Sequence, residues 1–342
     1  KRTKFMNATM SLEKIRHHPV MLNQILSIIS PQHGGCFIDC TFGGGGYSSA
    51  ILNYSGTKVF ALDRDNLTKK FANELTKKFP QRFNFFENKF SDINKVIEAN
   101  TSPKAIIFDL GLSSFQIADL QRGFSFKSTG PLSMQMGINK YSAYDVINNL
   151  DAKDLANIIK ILGDEKDGKK IANKILKYRK KSKIKTTEEL RSIIKSVKKN
   201  YLNFKKDPAT KTFQAIRIFV NQELTELILG LIEATKLLKN GGILLVVSFH
   251  SLEDKIVKYF FNLYSNLKKK PSRYLPPNNI SNELFRIVNK KPLIPDSSEL
   301  KNNIRSRSAK LRYAIRNNSP FFYPEDFKEK FKNYLKLEAL EL

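Results

Sequence analysis

Short apolar runs alternate with amphipathic helical patterns in the first third of the chain. The apolar runs cover residues 36–40, 58–63, 83–86 and 104–110, and a helical pattern follows each of the first three. Strands that alternate with helices at this spacing are typical of βαβ units, whose strands pair in parallel. This part of the chain therefore predicts an α/β domain built on a mostly parallel sheet.

The hydrophobic pattern changes in the middle of the chain. Residues 111–137 are rich in Ser, Gly and Phe and predict a long ordered loop. From residue 142 to 203 the periodicity is helical only, with candidate helices at 145–147, 155–162, 171–178 and 187–197. Lys and Arg crowd residues 169–185 and 195–206, so this stretch predicts a basic helical insertion.

The α/β pattern returns after residue 213. We expect one or two helices over 213–238, a buried strand at 243–249, a helix at 252–264 and a closing strand pair at 284–289 and 310–315. The simplest organisation is a discontinuous α/β core of residues 1–112 and 211–316. Residues 113–210 form the inserted loop and helical domain in this prediction, and residues 317–342 form a C-terminal tail.

Charge gives the first indication of a partner. The 342 residues include 59 Lys and Arg against 32 Asp and Glu, which leaves a net charge of +27. Such a surplus favours a polyanionic partner, with nucleic acid ahead of an anionic membrane surface. The alternative is AT-rich coding bias, which also enriches a chain in Lys, Asn, Ile and Phe.

Composition excludes several classes of protein. Two cysteines rule out a disulfide scaffold, and four histidines with two cysteines leave little material for a zinc cluster. We therefore expect no metal. The longest clean apolar run, residues 243–247, is far shorter than the roughly 20 residues that span a bilayer. We expect a cytoplasmic protein without a membrane partner.

A glycine-rich turn follows the first predicted strand. The strand ends at Asp39, and four glycines, Gly43 to Gly46, open the next helix. Such a turn lets the backbone approach a ligand closely, and Asp63 ends the next strand, where a carboxylate can accept hydrogen bonds from ribose hydroxyls. The alternative is a plain tight turn with Asp63 as a helix cap. Because no third glycine follows in the helix, AdoMet fits better than a dinucleotide.

Asp109 ends the fourth predicted strand. Ligands of open α/β sheets bind beyond the carboxyl ends of the strands, so Asp109 is expected near the reacting group. An exocyclic amine is a weak nucleophile because its lone pair is delocalised into the ring. A carboxylate that accepts its proton favours methyl transfer. The alternative is that Asp109 caps the turn through Ser113 and Ser114.

Residues 248–254 bring Ser, His and Asp together after the fifth predicted strand. The G-x-S-x-G nucleophile elbow is absent, which argues against a hydrolase. We expect Ser251 to cap the following helix with Asp254 at the third helical position. His250 is a candidate substrate contact, with a purely structural role as the alternative.

Basic residues lie close to aromatic or apolar ones in three segments of the chain. Arg and Lys can hold phosphates while Phe stacks on an unpaired base, although each segment alone is more often a solvated or core segment. The candidate RNA-binding residues are Arg122 and Phe124 in the first segment, Lys211 and Arg217 in the second, and Arg305, Arg307, Lys310 and Arg312 in the third.

Together these motifs resemble the bacterial ribosomal RNA small-subunit methyltransferase H (MraW) family. The matching segments run in order from His18-Pro19-Val20 through residues 39–46, 109–114, 116, 122–126, 130–132, 208–221, 223–224 and 248–254 to 306–312. The resemblance implies a class I AdoMet-dependent methyltransferase fold. This fold is Rossmann-like, with a mostly parallel seven-stranded sheet and, in this family, an inserted all-helical substrate-recognition domain.

The resemblance also implies a reaction and a set of site residues. The cofactor is AdoMet, the partner is the small ribosomal subunit, and the product is N4-methylcytidine in the decoding region of 16S rRNA, formed by direct in-line transfer. Asp109 is the candidate catalytic residue, facing either the amine or the cofactor. The oligomeric state stays open, with a weak homodimer as one alternative. The cofactor-binding positions that carry over are Gly45, Gly46, Tyr47, Asp63, Phe90, Asp109 and Gln116.

The chain departs from the family pattern near the active site. Tyr47 stands where the family usually has His, and Ser133, Gln135 and Gly137 replace two acids and an Arg. These changes motivate a different hypothesis, a catalytically weakened RNA-binding protein of the same fold. A third hypothesis is a DNA amino-methyltransferase, and the absence of Asp-Pro-Pro-Tyr after the fourth strand counts against it.

Overall fold

The computed structural model describes residues 19–98, 100–125, 129–198, 207–265, 283–323 and 325–342. Its sheet has seven strands in the order β3-β2-β1-β4-β5-β7-β6. All neighbours pair in parallel except β7, which is antiparallel to both β5 and β6. The strands are β1 (Gly35–Asp39), β2 (Thr57–Asp63), β3 (Phe83–Glu87), β4 (Pro103–Asp109), β5 (Ile243–Ser248), β6 (Phe285–Ile287) and β7 (Lys310–Arg316). The predicted Rossmann-like sheet with its closing strand pair is confirmed.

Helices cover both faces of this sheet. The chain moves outward from β1 to β3 and then returns to the other side of β1 at β4, and this reversal opens a crevice at the carboxyl ends of the strands. The helices are α1 (Leu22–Ile29), α2 (Gly46–Leu52), α3 (Lys69–Lys78), α4 (Ile93–Val96), α5 (Ser114–Ala118), α6 (Ala143–Asn149), α7 (Ala152–Leu162), α8 (Gly168–Arg179), α9 (Thr187–Val197), α10 (Thr210–Asn221), α11 (Glu223–Leu237), α12 (Ser251–Tyr264), α13 (Ser297–Asn302), α14 (Glu325–Lys330) and α15 (Lys332–Glu338).

Two apolar clusters lie on opposite faces of the sheet because successive strand residues point to opposite sides. Ile106 of β4 belongs to the cluster beneath α11 and α12, and its neighbour Ile107 belongs to the cluster beneath α1 and α2. The insertion helices α6 to α9 bury their apolar faces in the same cluster as α10 and α11. The insertion is therefore packed against the core helices rather than separated from them.

The structure refines several predicted elements. Residues 213–238 form two helices, because Gln222 takes a left-handed conformation with φ of 52° between α10 and α11. The predicted loop at 111–137 contains α5 and a 3-10 turn at Leu120–Arg122. His18, Phe126 and residues 199–206 of the second basic run lie outside the described residues.

The C-terminal segment differs from the predicted tail. It contains α14 and α15, and Phe327 and Phe331 are buried against Tyr259 of α12. No described helix is both long enough and apolar enough to cross a membrane.

Candidate active site

A cleft lies at the carboxyl ends of the central strands, where the reversal of strand order predicts a ligand. Every predicted cofactor residue except Gly45 lines it. The lining residues among the predicted set are Gly46, Tyr47, Asp63, Phe90, Asp109 and Gln116. The fold thus brings together side chains from the ends of β2 and β4, from the glycine turn and from the loop after β3.

Gly45 does not line this cleft and is closely packed. It begins α2 in a left-handed conformation with φ of 75°. A Cβ atom there would lie 2.8 Å from both the Leu75 Cδ1 and Phe42 Cζ atoms, in the apolar cluster behind the cleft. At Gly46 a Cβ atom would lie 2.3 Å from the Cγ atom of Pro19. Both glycines let the turn close onto the core, and only Gly46 also faces the cleft.

The carboxylates of Asp39 and Asp63 accept hydrogen bonds from the glycine turn and from the residues that flank it. The fully buried Asp39 carboxylate accepts hydrogen bonds from the Ser48 hydroxyl at 2.7 Å and from the Thr41 N–H at 3.2 Å. It does not line the cleft, and burial raises its pKa to about 6. The Asp63 carboxylate accepts the N–H groups of Gly43 at 2.7 Å and Asp65 at 2.9 Å, and burial raises its pKa to about 7.

Asp109 offers the cleft an unsatisfied acceptor. Its backbone N–H donates to the Thr41 hydroxyl at 2.7 Å, which fixes the end of β4. Its Oδ1 atom is buried and has no partner in hydrogen-bond geometry among the described residues, because the neighbouring Tyr47 hydroxyl, which lies close to this carboxyl, donates to the Val20 carbonyl. Burial, followed by the charge of Asp39, raises its pKa to about 8. A buried polar atom of this kind is costly unless a ligand completes it.

Tyr47, which stands where the family usually has His, lines the cleft. The side chain is buried, and its hydroxyl donates to the Val20 carbonyl at 2.5 Å. This bond ties α2 to the segment before α1. Burial raises the pKa of Tyr47 well above its usual value, so the phenol stays neutral.

Gln116 and Arg122 are engaged inside the protein. Gln116 forms a capping box with Ser113 at the start of α5 and donates from Nε2 to the Asp65 carboxylate at 2.7 Å. Arg122 pairs with the same carboxylate at 2.9 Å and donates to the Gln135 carbonyl at 2.6 Å. The Arg122 guanidinium also lies 5.6 Å from the centre of the half-buried Phe124 ring. An RNA contact through Arg122 would require these bonds to break.

The altered loop at 133–137 has partners of its own. Arg64 donates from Nε to the Gly137 carbonyl at 2.6 Å and from Nη1 to the Asn221 carbonyl at 2.7 Å. The Asn221 side chain accepts from the Met136 N–H and donates to the Met134 carbonyl, both at 2.8 Å. At Gly137, where φ is 118°, a Cβ atom would lie 2.1 Å from the Arg64 carbonyl oxygen. This loop therefore requires glycine there.

Helix α11 supplies an acidic wall that the sequence analysis missed. Glu223 and Glu226 both line the cleft, and their three-residue spacing on one helix is the signal that identifies such a pair. Lys89 lies 3.3 Å from Oε1 of Glu226, whereas the Oε2 atom is buried without a partner among the described residues. Phe90 packs edge-on against Phe108 beside this wall.

His250 caps α12, one residue earlier than predicted. Its Nδ1 accepts the N–H of Glu253, which stands at the third helical position, so Ser251 and Asp254 do not have these roles. Glu253 and Glu223 lie beside His250 at a spacing that suits a cation. However, the Arg217 guanidinium already binds Glu223 through two bonds of 2.8 Å.

The other predicted RNA-binding residues divide into paired and unpaired groups. Lys211 donates to the Asp164 carbonyl at 2.6 Å. Lys310 and Arg312 both bind Asp254, at 3.0 and 2.7 Å. By contrast, Arg305 and Arg307 are exposed and form no ion pair within the described ranges. Arg305 also lines the cleft.

The cleft fits AdoMet by its chemistry. Acidic side chains outnumber basic ones on its walls, and Asp109 and Glu226 each present a buried oxygen without a partner. AdoMet carries a cationic sulfonium and amine donors, which suit these acceptors. The lining residues with charged side chains are Asp63, Asp109, Glu223, Glu226 and Glu253 against Arg64, Lys89 and Arg305.

Comparison with known proteins agrees with this chemistry. The MraW methylase family matches residues 14–317. A ribosomal RNA small subunit methyltransferase H from Ehrlichia canis is 45% identical over 306 residues, covering 88% of this chain and 99% of the relative. The protein of the same name from Rickettsia akari is 43% identical over 303 residues, covering 87% and 97%.

A solved rRNA methylase from Streptococcus thermophilus is 9% identical, covers 86% of this chain and 96% of that chain, and has a TM-score of 0.36. The family match covers most of the chain, including the glycine turn, the Asp109 strand end and the cap of α12. The chain therefore belongs to the MraW methylase family.

Proposed function

We propose that this chain methylates the N4 amine of a cytidine in the decoding region of 16S rRNA, with AdoMet as the methyl donor. One observation carries the proposal: the buried, unpartnered Oδ1 of Asp109 at the end of β4, inside the cleft of a MraW-family chain. The relatives named ribosomal RNA small subunit methyltransferase H support the substrate, as does the net charge of +27.

The residues of the cleft divide the task between them. Bound AdoMet would supply a methyl group whose carbon accepts the lone pair of the amine nitrogen, while the C–S bond breaks and its electron pair returns to the sulfur of the leaving thioether. Asp63, with its two backbone donors already in place, is oriented to accept ribose hydroxyls. Glu226 presents a buried acceptor beside Phe90. These acidic side chains compensate the positive charge of the cofactor.

We assign to Asp109 the role of accepting a proton from the amine. The nitrogen must lose one proton when its bond to the methyl carbon forms, and a carboxylate within the cleft can accept it. The pKa of about 8 lies near working pH, which is the condition under which proton transfer is most efficient. Direct transfer to the amine needs no cysteine nucleophile, and the half-buried Cys36 and the buried Cys40 both lie before the glycine turn.

In this proposal the substrate enters past Phe249, Glu253 and Arg305, which line the cleft together with the cofactor residues. The inserted residues 113–210 form the recognition domain, and the small ribosomal subunit presents the cytidine.

Methyl transfer to small ribosomal subunits that lack base methylation tests the proposal. The product is identified by nucleoside mass spectrometry after reaction with labelled AdoMet. We expect N4-methylcytidine with the wild-type chain and a loss of at least about 100-fold with Asp109→Asn, as expected when a proton acceptor is removed. The matched control is Asp326→Asn, because Asp326 is exposed on α14, outside both the cleft and the inserted residues.

Two results would overturn the assignment. AdoMet binding in calorimetry without any transfer would favour the RNA-binding protein of weakened activity. Transfer to duplex DNA in preference to ribosomal subunits would favour a DNA amino-methyltransferase.

A further inference from the structure

A second concave surface lies beside the cofactor cleft and shares Phe249 with it. We call it the basic groove. Its walls come from the start of α12, the segment before α13 and the segment that leads into β7. The residues that define it are Phe249, His250, Ser251, Ile294, Pro295, Leu300, Arg307, Ser308, Ala309 and Lys310.

The basic groove has the opposite charge to the cofactor cleft. Arg307 and Lys310 line it, and no Asp or Glu does. Arg307 is exposed and forms no ion pair with any described residue. The Lys310 ammonium lies 3.0 Å from Asp254 and remains half-exposed. The groove therefore attracts an anion, whereas the acidic walls of the cleft repel one.

Acidic residues near the basic groove are engaged elsewhere. Asp254 binds Arg312 as well as Lys310. Asp296 and Glu299 of the α13 segment accept hydrogen bonds from Gln24 and from the Met21 N–H, near α1. None of these carboxylates forms an ion pair with the Arg307 guanidinium, which has no such partner among the described residues.

An apolar side chain lines the groove together with the two cations. Ile294 is 67% exposed. It is held in place because its neighbour Leu293 exchanges two backbone hydrogen bonds of 2.9 Å with Leu311 of β7. Pro295 beside it is buried. A fixed, exposed apolar side chain in a groove that also holds cations can cover the apolar face of a base whose phosphate binds the cations.

We propose that the basic groove binds the nucleotide next to the target cytidine in the RNA strand. Its phosphate binds Arg307 and Lys310, and its base packs on Ile294. The inference rests on the proposed function, because it takes the neighbouring cleft to hold the target cytidine. The groove and the cleft lie side by side and share Phe249. Phosphates then stay outside the acidic cleft, and only the uncharged base enters it.

Salt-dependent binding of small ribosomal subunits lacking base methylation tests this inference. Binding of a phosphate by a cation releases counterions, so each contact adds about 0.7 to the slope of log affinity against log salt for a single strand. We expect Arg307→Ala to reduce the slope by about this amount and to raise the KM for subunits several-fold. The Kd for AdoMet, measured by calorimetry, stays unchanged.

Two further variants distinguish the contact with the base from the contact with the phosphate. Ile294→Ser is expected to weaken subunit binding several-fold without changing the salt slope, since it removes no charge. Lys77→Ala is the matched control for a lost surface cation, because Lys77 is exposed on α3 beside β3, far along the sheet from β7. It is expected to change neither quantity.

The outcomes distinguish this inference from the proposed function. If the wild-type chain transfers methyl groups but Arg307→Ala leaves the salt slope and the KM unchanged, the proposed role of the basic groove is wrong. The proposed function is then unaffected. An Ile294→Ser variant that binds subunits like the wild type overturns the base contact. If the wild-type chain binds subunits but produces no N4-methylcytidine, the proposed function is wrong. The salt slopes then still test whether the basic groove binds a phosphate.

Discussion

The Glu338 carboxylate accepts a hydrogen bond of 2.7 Å from the backbone N–H of Thr225, which lies 113 residues earlier in the chain. It also accepts the N–H of Leu224 at 3.1 Å. No side chain of α11 itself caps this helix, because Gln222 stands at its start in a left-handed conformation. Helix α15 thus supplies a cap to the helix that carries Glu223 and Glu226.

Glu338→Ala is expected to destabilise the protein by about 1–3 kcal/mol, the cost of losing a helix cap and leaving buried donors unpaired. Urea denaturation measures this change. Because α11 forms one wall of the cleft, we also expect weaker AdoMet binding in calorimetry. Glu329→Ala, at an exposed position, is the control. Equal stability of Glu338→Ala and the control would contradict the cap.

Gly137→Ala is expected to destabilise the loop that Arg64 and Asn221 hold. The left-handed conformation alone costs about 1–2 kcal/mol, and Gly241→Ala, where φ is 82° and no atom lies within 4 Å, isolates that cost. At Gly137 the contact with Arg64 adds about 1–3 kcal/mol. Thermal unfolding of both variants gives the difference. Similar losses at the two positions would show that the loop adjusts freely.

Stability is expected to fall as pH rises from about 5 to 8.5. The pKa values of Asp39, Asp63 and Asp109 are raised to about 6, 7 and 8, whereas an unfolded Asp has a pKa of about 3.9. The folded chain therefore binds more protons than the unfolded chain in this range, so each pH increment favours unfolding. Glu338, with a pKa of about 8, acts in the same direction.

Urea denaturation at pH 5.5, 7 and 8.5 measures this dependence. The lowered pKa values of Glu253 and Asp254 affect stability only below this range. Asp109→Asn is expected to flatten the upper part of the profile. A profile that rises with pH would contradict the assigned shifts.

AdoMet binding is expected to release protons near pH 7. A cationic ligand favours the charged form of nearby carboxyls, so it lowers the pKa values of Asp63 and Asp109 from about 7 and 8. Calorimetry in two buffers of different ionisation enthalpy counts the released protons, and the affinity rises with pH. Asp109→Asn is expected to release fewer protons. A binding enthalpy that is the same in both buffers would contradict this prediction.

The sequence by itself determined the sheet and the position of the cleft. Apolar runs of strand length alternate with helical periodicity, and these periods depend only on residues two to four positions apart. The glycine turn after β1 and the acids at the ends of β2 and β4 could be read in the same way. Asp63 and Asp109 therefore stand in the cleft where the sequence pattern predicted ligand contacts, and Phe90, which only the family resemblance indicated, lines it too.

Only the tertiary structure decided which charged residues are available to a ligand. Arg122 and Arg217 look like RNA-binding residues in the sequence, but they bind Asp65 and Glu223 in the fold. Lys310 and Arg312 meet Asp254 across more than 50 residues of chain, and of the two only Lys310 stays half-exposed. No local pattern identifies such pairs, because the chain between the partners can take any length.

The same physical reason applies to the C-terminal segment and to the glycines. Glu338 acts as a cap only because α15 packs on α11, and Gly45 meets Leu75 only because α2 and α3 lie on one face of the sheet. Local hydrogen bonding and periodicity fix each element from its own residues. Contacts between elements depend on packing of the whole core, so their consequences for the site appear only in the folded molecule.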